Sequence, residues 1–203
     1  MKKILLSLAF ATILWSCKTA SSSTTASIKE EIHVNINLNE ITDDKVLVTV
    51  KSPKIKTDEV IYHIPKTVPG TYSTDNYGRY IEDLKAYDKK GNTLTVTKKD
   101  LNSWSIATAK TLDKITYLVN DTYDTEKGTG FGSEDIFSPS GSNIDAGKNI
   151  MLNTHCFVGY FSNYMTVPYK VTISMAHCDC AGVGRGGRAP CRGRAAFRRL
   201  LRG

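Results

Sequence analysis

The chain has 203 residues, 40% of them hydrophobic, 23% charged and 9% aromatic, with a formal net charge of +7. That is enough apolar chain for one packed core, which excludes an intrinsically disordered protein; only the first stretch is apolar for long, which excludes a protein that crosses a membrane many times. The charge does not mark a nucleic-acid binder: residues 1–175 carry +1 and residues 176–203 carry +6, because seven of the eight arginines lie between Arg185 and Arg202.

Met1-Lys2-Lys3 makes a short positive start. Ile4 to Trp15 is an apolar run of about a dozen residues, the length of a secretory signal core and too short to span a bilayer. It ends Leu14-Trp15-Ser16-Cys17. A small residue before a cysteine, with leucine three positions before it, resembles the lipobox of bacterial lipoproteins, in which the cysteine is diacylated and becomes the new N-terminus. Two acyl chains supply an anchor that one chain cannot. Residues 1–17 are therefore expected to be a lipoprotein signal with Cys17 as the lipidation site. The expected location is the bacterial cell envelope, lipid-anchored on the periplasmic or outer-membrane face. Residues 18–29 open with Lys18 to Ser27, which has no large apolar side chain, and read as a flexible tether.

From residue 30 the pattern is that of strands. Ile32, Val34, Ile36 and Leu38 alternate with His33, Asn35 and Asn37, the period of a half-buried strand. Thr42 to Lys45 is a turn, and Val46, Val48 and Val50 open a second strand that Pro53 stops. Val60, Tyr62 and Ile64 make a third. Residues 80–88 fit either a strand or a helical turn. Lys89-Lys90-Gly91-Asn92 is a turn with glycine available for positive φ. Leu94 and Val96, then Trp104 and Ile106, give two strands split by residues 98–102. Residues 115–119, Ile-Thr-Tyr-Leu-Val, have the strongest β propensity in the chain. Residues 125–148, rich in Gly and Ser, read as a long loop, and Val167 to Ile173 as a final strand. Strands recurring with turn chemistry between them predict a mainly β fold, an antiparallel β-sandwich, over residues 30–174.

One segment carries more than secondary structure. Val68-Pro69-Gly70-Thr71 is a tight turn, with Pro presetting φ at one corner and Gly supplying positive φ at the next. Tyr72, Tyr77 and Tyr80 follow, with Arg79 among them, suited to a cation–π contact or to pairing with Asp75, Glu82 or Asp83. Pro69-Gly70-Thr71-Tyr72, then Tyr77-Gly78-Arg79, Asp88-Lys89-Lys90-Gly91 and a later Trp104 resemble the N-terminal domain of the glycyl aminopeptidases, metallopeptidase family sixty-one. Residues 117–123 resemble that family's following strand, and Phe157-Val158-Gly159-Tyr160 its short strand before the last one. Lys66-Thr67-Val68 stands where the family usually places a tryptophan.

The resemblance implies a protein whose full-length relatives remove N-terminal residues, notably glycine, from peptides with zinc. It implies a β-domain followed by a thermolysin-like catalytic domain, often with a PDZ-like domain as well. Such zinc chemistry needs His-Glu-x-x-His on a helix, so that both imidazoles face one ion and the glutamate activates its water. The four histidines here are followed by Val34, Ile64, Cys156 and Cys178, so the motif is absent from this sequence. The expectation is a non-catalytic N-terminal domain of a truncated enzyme: no catalytic or metal residue and no cofactor in this chain, with zinc and the peptide substrate belonging to the missing catalytic domain, its partner in intact relatives. The membrane is a partner through the lipid; nucleic acid is not.

Residues 175–203 change composition. Gly, Ala, Arg and Pro fill 19 of the 28 positions after residue 175, and Lys, Asn, Ile, Thr, Ser, Glu and Tyr vanish. A shift from residues with AT-rich codons to residues with GC-rich ones reads as a frameshifted end, expected to be disordered. Arg-Gly nucleic-acid binding, a zinc site at His177-Cys178-Asp179-Cys180 with Cys191, and a basic surface helix are weaker alternatives.

Elsewhere, Cys156 reads as a buried structural thiol, His33 as a surface residue and Trp104 as a core anchor. The acidic pairs at 43–44, 58–59, 82–83 and 134–135 read as solvated turns. Two further functions compete with the peptidase domain. One is a self-standing surface β-sandwich lipoprotein whose tyrosines, eight of ten within 62–160, bind glycan or peptide. The other, favoured if those tyrosines are buried, is a structural lipoprotein without a ligand.

Overall fold

The computed structural model describes residues 30–71, 73–123, 140–146 and 148–175. The expectations for the signal, Cys17, the tether, Tyr72, Glu134-Asp135 and the Arg/Gly-rich tail from residue 176 fall outside the described residues.

Two sheets carry the fold. The larger has the order β12 (Tyr169–Ser174), β1 (Ile32–Thr42), β2 (Lys45–Lys51), β8 (Leu112–Asn120), β4 (Ile81–Asp88) and β5 (Thr93–Leu94), and the smaller β11 (Tyr160–Phe161), β3 (Glu59–His63), β7 (Ser103–Ala107) and β6 (Val96–Asp100). In the larger, β1 (Ile32–Thr42), β2 (Lys45–Lys51), β4 (Ile81–Asp88) and β8 (Leu112–Asn120) turn their alternate apolar side chains to one face. The register lines them up in rows: Ile36 beside Val48 and Val48 beside Tyr117, Val34 beside Val50 and Val50 beside Ile115. All of these are buried. In the smaller sheet, β3 (Glu59–His63) and β7 (Ser103–Ala107) set Tyr62 beside Trp104 and Val60 beside Ile106. Packing these two apolar faces against each other buries the core of a β-sandwich, the predicted class.

The predicted turns have the predicted chemistry. Asp43 and Asp44 both have positive φ (50° and 52°) and close the β1–β2 hairpin. Gly91 sits at φ 87°, and the Asp88 carboxylate accepts the amides of Lys90 and Asn92 across the same turn. Gly70 sits at φ 93° between Pro69 and Thr71, with the Thr71 amide donating to the Val68 carbonyl at 3.2 Å.

The structure also corrects several expectations. Of the two alternatives for residues 80–88 the strand holds, as β4 (Ile81–Asp88), entered directly from a 3-10 turn at Tyr77–Tyr80. The gap at residues 98–102 is smaller than predicted: β6 (Val96–Asp100) runs through Lys98, and only Leu101-Asn102 separate it from β7. At the end of the predicted loop 125–148, Asn143–Asp145 pairs with Asn149–Met151, just beyond it, as a hairpin, β9 and β10. Phe157 closes a single helical turn, α1 (Thr154–Phe157), because Asn153 caps it by accepting the His155 amide; the strand is confined to β11 (Tyr160–Phe161). Glu82 and Asp83 lie on β4 rather than in a turn. The last strand, β12 (Tyr169–Ser174), pairs parallel to β1. The chain reaches it from β11 in the other sheet, so it re-enters running the same way as β1 and not as the return arm of a hairpin.

Candidate functional site

The Tyr77–Tyr80 turn packs edge-on against the β6–β7 hairpin tip, and Gly78 is what permits the approach. A Cβ at Gly78 would overlap the Leu101 carbonyl oxygen and sit 2.6 Å from the Asn102 Cα. Asn102, 2% exposed, ties the two pieces together. Its side-chain carbonyl accepts the Gly78 amide at 3.0 Å, its amide group donates to Asn76 Oδ1 at 2.9 Å, and its backbone carbonyl accepts the Ile64 amide at 2.8 Å. Gly78→Ala is expected to cost about 1–3 kcal/mol, because backbone rather than a flexible side chain must yield. Urea unfolding would read this as a lower midpoint at unchanged slope; an unchanged midpoint would mean that the turn is free to move away.

Beneath the Pro69-Gly70 turn lies a buried polar cluster built on Asp75, 3% exposed. Its carboxylate accepts from Ser73 Oγ at 2.8 Å, the Tyr77 hydroxyl at 3.0 Å and Ser140 Oγ at 3.2 Å. Tyr77 also reaches the Ser140 carbonyl at 2.9 Å, and Asn153 Nδ2 donates to the same oxygen at 2.6 Å. Ser142 continues the cluster, its Oγ accepting the Asn153 amide at 2.8 Å. Buried polar groups are tolerated when they are satisfied in this way. On the solvent side, Val68, Gly141, Met151, Leu152, Asn153 and His155 line an open depression of about 380 Å³. His155 Nδ1 lies 3.1 Å from Asn153 Oδ1, and burial lowers its pKa, which favours the neutral ring donating from Nδ1.

Among the described residues, those of the motif do not converge on one reaction centre. Pro69, Gly70 and Thr71 form the turn beside the depression. The Arg79 guanidinium lies 5.0 Å from the centre of the Tyr80 ring, the expected cation–π contact. Of the acids suggested for it, Asp75 takes three hydroxyl donors, Glu82 pairs with Lys45 at 2.9 Å and Asp83 with Lys85 at 2.6 Å. Trp104 is in the core, 5% exposed, with the Lys98 ammonium 5.2 Å from its ring centre.

Cys156 is fully buried on α1, and burial pushes its thiol up to about 12, far from a reactive thiolate. His33 is exposed, as expected. His63 contacts Ser162 Oγ at 2.8 Å and stacks on Tyr160, joining β3 to β11. Among the described residues no three His, Cys, Asp or Glu side chains gather as a metal site. Tyr62, Tyr77, Tyr80 and Tyr117 are buried, which removes half of the tyrosines proposed to bind glycan or peptide. The sequence marked Asp75 only as a possible partner for Arg79, and Asn102 not at all. Ser73 and Tyr77 are local to Asp75, but the groups that complete the two clusters, Ser140 for Asp75 and Asn76 and Gly78 for Asn102, lie 24 to 65 residues away.

Residues 33–180, most of the chain, match the model of the peptidase M61 N-terminal domain. The chain belongs to the peptidase M61 family. Its matched part is the N-terminal domain, and the match runs to residue 180, a little past the point where the composition changes. No curated protein matches the chain. Among solved structures it is similar to the crystal structure of an aminopeptidase N family protein from Idiomarina loihiensis, at 18% identity and a TM-score of 0.52. That likeness shows the fold. It covers 70% of this chain and 22% of the other, so this M61 domain spans about a fifth of that protein's length.

Proposed function

We propose that this chain acts as the non-catalytic β-domain of a glycyl-aminopeptidase-like zinc metallopeptidase, held at the bacterial cell envelope by lipid on Cys17, and that it supports a separate catalytic domain. The observation that carries this is the family match to an N-terminal domain over residues 33–180. The chemistry of the side chains agrees. His33, His63 and His155 lie on β1, β3 and α1, and His63 and His155 are engaged by Ser162 and Asn153. These residues do not fit a zinc site of the His-Glu-x-x-His kind. The buried Asp75 cluster instead stiffens the wall of the depression beside the Pro69-Gly70 turn.

The test is direct. The purified full chain is expected to release no glycine from glycyl peptides, with or without added zinc. It is expected to partition into the detergent phase after expression in a bacterium that processes lipoproteins, and Cys17→Ala is expected to move it to the aqueous phase. Zinc-dependent, chelator-sensitive turnover would overturn the non-catalytic reading, and a Cys17→Ala variant that stays in detergent would overturn the anchor.

A further inference from the structure

Two sheets have four edges, and three of them are blunted in ways that prevent strand addition. β5 (Thr93–Leu94) and β11 are two residues long; the part of β4 that β5 leaves uncovered carries Glu82, Asp83 and Lys85 with a register shift among them, and the part of β3 beyond β11 starts at Glu59. β6 carries Lys98, Lys99 and Asp100 in its five residues. The fourth edge, β12, is six residues long, contains no proline, and its one charge is Lys170 near its start.

The hydrogen bonding of β12 fixes what it offers outward. The Ile32 amide donates to the Pro168 carbonyl at 2.8 Å, and the parallel register runs from Ile32 beside Tyr169 to Asn37 beside Ser174. In a parallel ladder the residues that bond to the neighbour alternate with residues whose N–H and C=O point away. Lys170 and Thr172 therefore bond to β1, while Val171 and Ile173 aim both backbone groups at the open side. The side chains of Val171 and Ile173 share the inner face with Val34 and Ile36, yet both are only partly buried where those two are fully so. Open backbone groups and an incompletely covered apolar row occur at the same strand.

We propose that β12 pairs antiparallel with β12 of a second copy, centred on Thr172, so that two six-stranded sheets join across a two-fold axis. In this register Val171 stands opposite Ile173 of the second copy, and each such pair exchanges both backbone bonds, as the outward groups require. The same pairing sets apolar against apolar on the inner face. On the outer face Thr172 meets Thr172, and Lys170 meets Ser174 instead of another Lys170, so no like charges are opposed. An isologous contact of this kind uses one patch twice and closes on itself.

Sedimentation equilibrium of the full chain in mild detergent is expected to give an average mass that rises toward twice that of the chain as concentration increases. Val171→Pro removes an outward N–H but none that bonds to β1, and is expected to keep the β spectrum while leaving the protein monomeric. Thr172→Cys is expected to form, on mild oxidation, a disulfide joining position 172 of two copies, since directly opposed Cβ atoms in a non-hydrogen-bonded pair lie about 4.5–5.5 Å apart; Lys170→Cys is not expected to link to itself. If Val171→Pro does not fold, the position-172 link alone decides. A monomer at every concentration overturns the proposal, as does a dimer that forms no link at position 172. A monomer in which the Val171 and Ile173 amides resist exchange also overturns it, and assigns the edge to another segment of the same chain.

Discussion

Trp104→Ala is expected to lower the unfolding free energy by about 3–5 kcal/mol, the range for deleting a large aromatic from a packed core. Trp104 is 5% exposed and stands beside Tyr62 in the β3–β7 register, at the centre of the smaller sheet. Tyr62 in turn packs on Phe161 at 4.9 Å and on Tyr117 of the opposite sheet at 5.9 Å between ring centres. Removing the indole opens a cavity against neighbours held by strand pairing on both sides, so collapse into the space is restricted. A domain of this size has about 5–15 kcal/mol in total, so the variant is expected to lose much of its folded margin. Trp104→Phe keeps most of the volume and is expected to cost distinctly less. Equilibrium unfolding of both variants checks this. A loss below about 1 kcal/mol for Trp104→Ala would mean that the indole does not anchor the core.

Tyr117→Phe is expected to cost about 2–4 kcal/mol although it removes a single oxygen, because that oxygen sits in a continuous buried chain. The Gly159 amide donates to the Tyr62 hydroxyl at 3.1 Å, Tyr62 donates to Tyr117 at 2.9 Å, and Tyr117 donates to the Phe157 carbonyl at 2.6 Å. Without the Tyr117 hydroxyl, Tyr62 loses its acceptor and Phe157 its donor, at buried residues. The double variant Tyr62→Phe with Tyr117→Phe is expected to cost less than the sum of the singles, since the orphaned Tyr62 hydroxyl is then gone as well.

The same pair sets an alkaline limit. Burial is the main cause that holds both phenols above the ordinary tyrosine value of about 10, with mutual repulsion adding to it at Tyr62. The folded state therefore keeps protons that the unfolded chain releases above about pH 10, so stability is full below that pH and falls as pH rises through the raised native values. Urea midpoints measured from neutral to alkaline pH are expected to decline above about pH 10, and to decline less steeply in Tyr117→Phe. A parallel decline in both proteins would mean that other groups set the limit.

The resemblance to the M61 N-terminal domain was carried by a spaced set of residues, and the structure explains why some of that set is legible. Gly70 holds a positive φ that favours glycine, and Pro69 presets the corner before it. Gly78 is a close-approach glycine, and Trp104 a core anchor between two strands of alternating character. Arg79 over Tyr80 follows from adjacency alone. None of these assembles a reaction centre, and their order along the chain marks a fold more than a chemistry.

What the sequence by itself determined is local. Period-two alternation assigned Ile32, Val34, Ile36, Val46, Val48 and Val50 to the buried face, and paired turn residues at Asp43-Asp44 and Lys90-Gly91 set where hairpins close, because side-chain direction and backbone φ depend on a residue and its neighbours. What the tertiary structure alone decided is which distant groups meet. The parallel pairing of β12 with β1 joins strands at opposite ends of the domain, after a crossing between sheets that no local pattern records. The hydroxyls around Asp75 and the Tyr62–Tyr117 contact join residues up to 65 positions apart, and Asn102 becomes a hub only when Gly78 lets a second segment approach. A polar side chain looks alike in a turn and in a buried cluster until sheet packing removes the water around it, and that removal is a property of the whole fold.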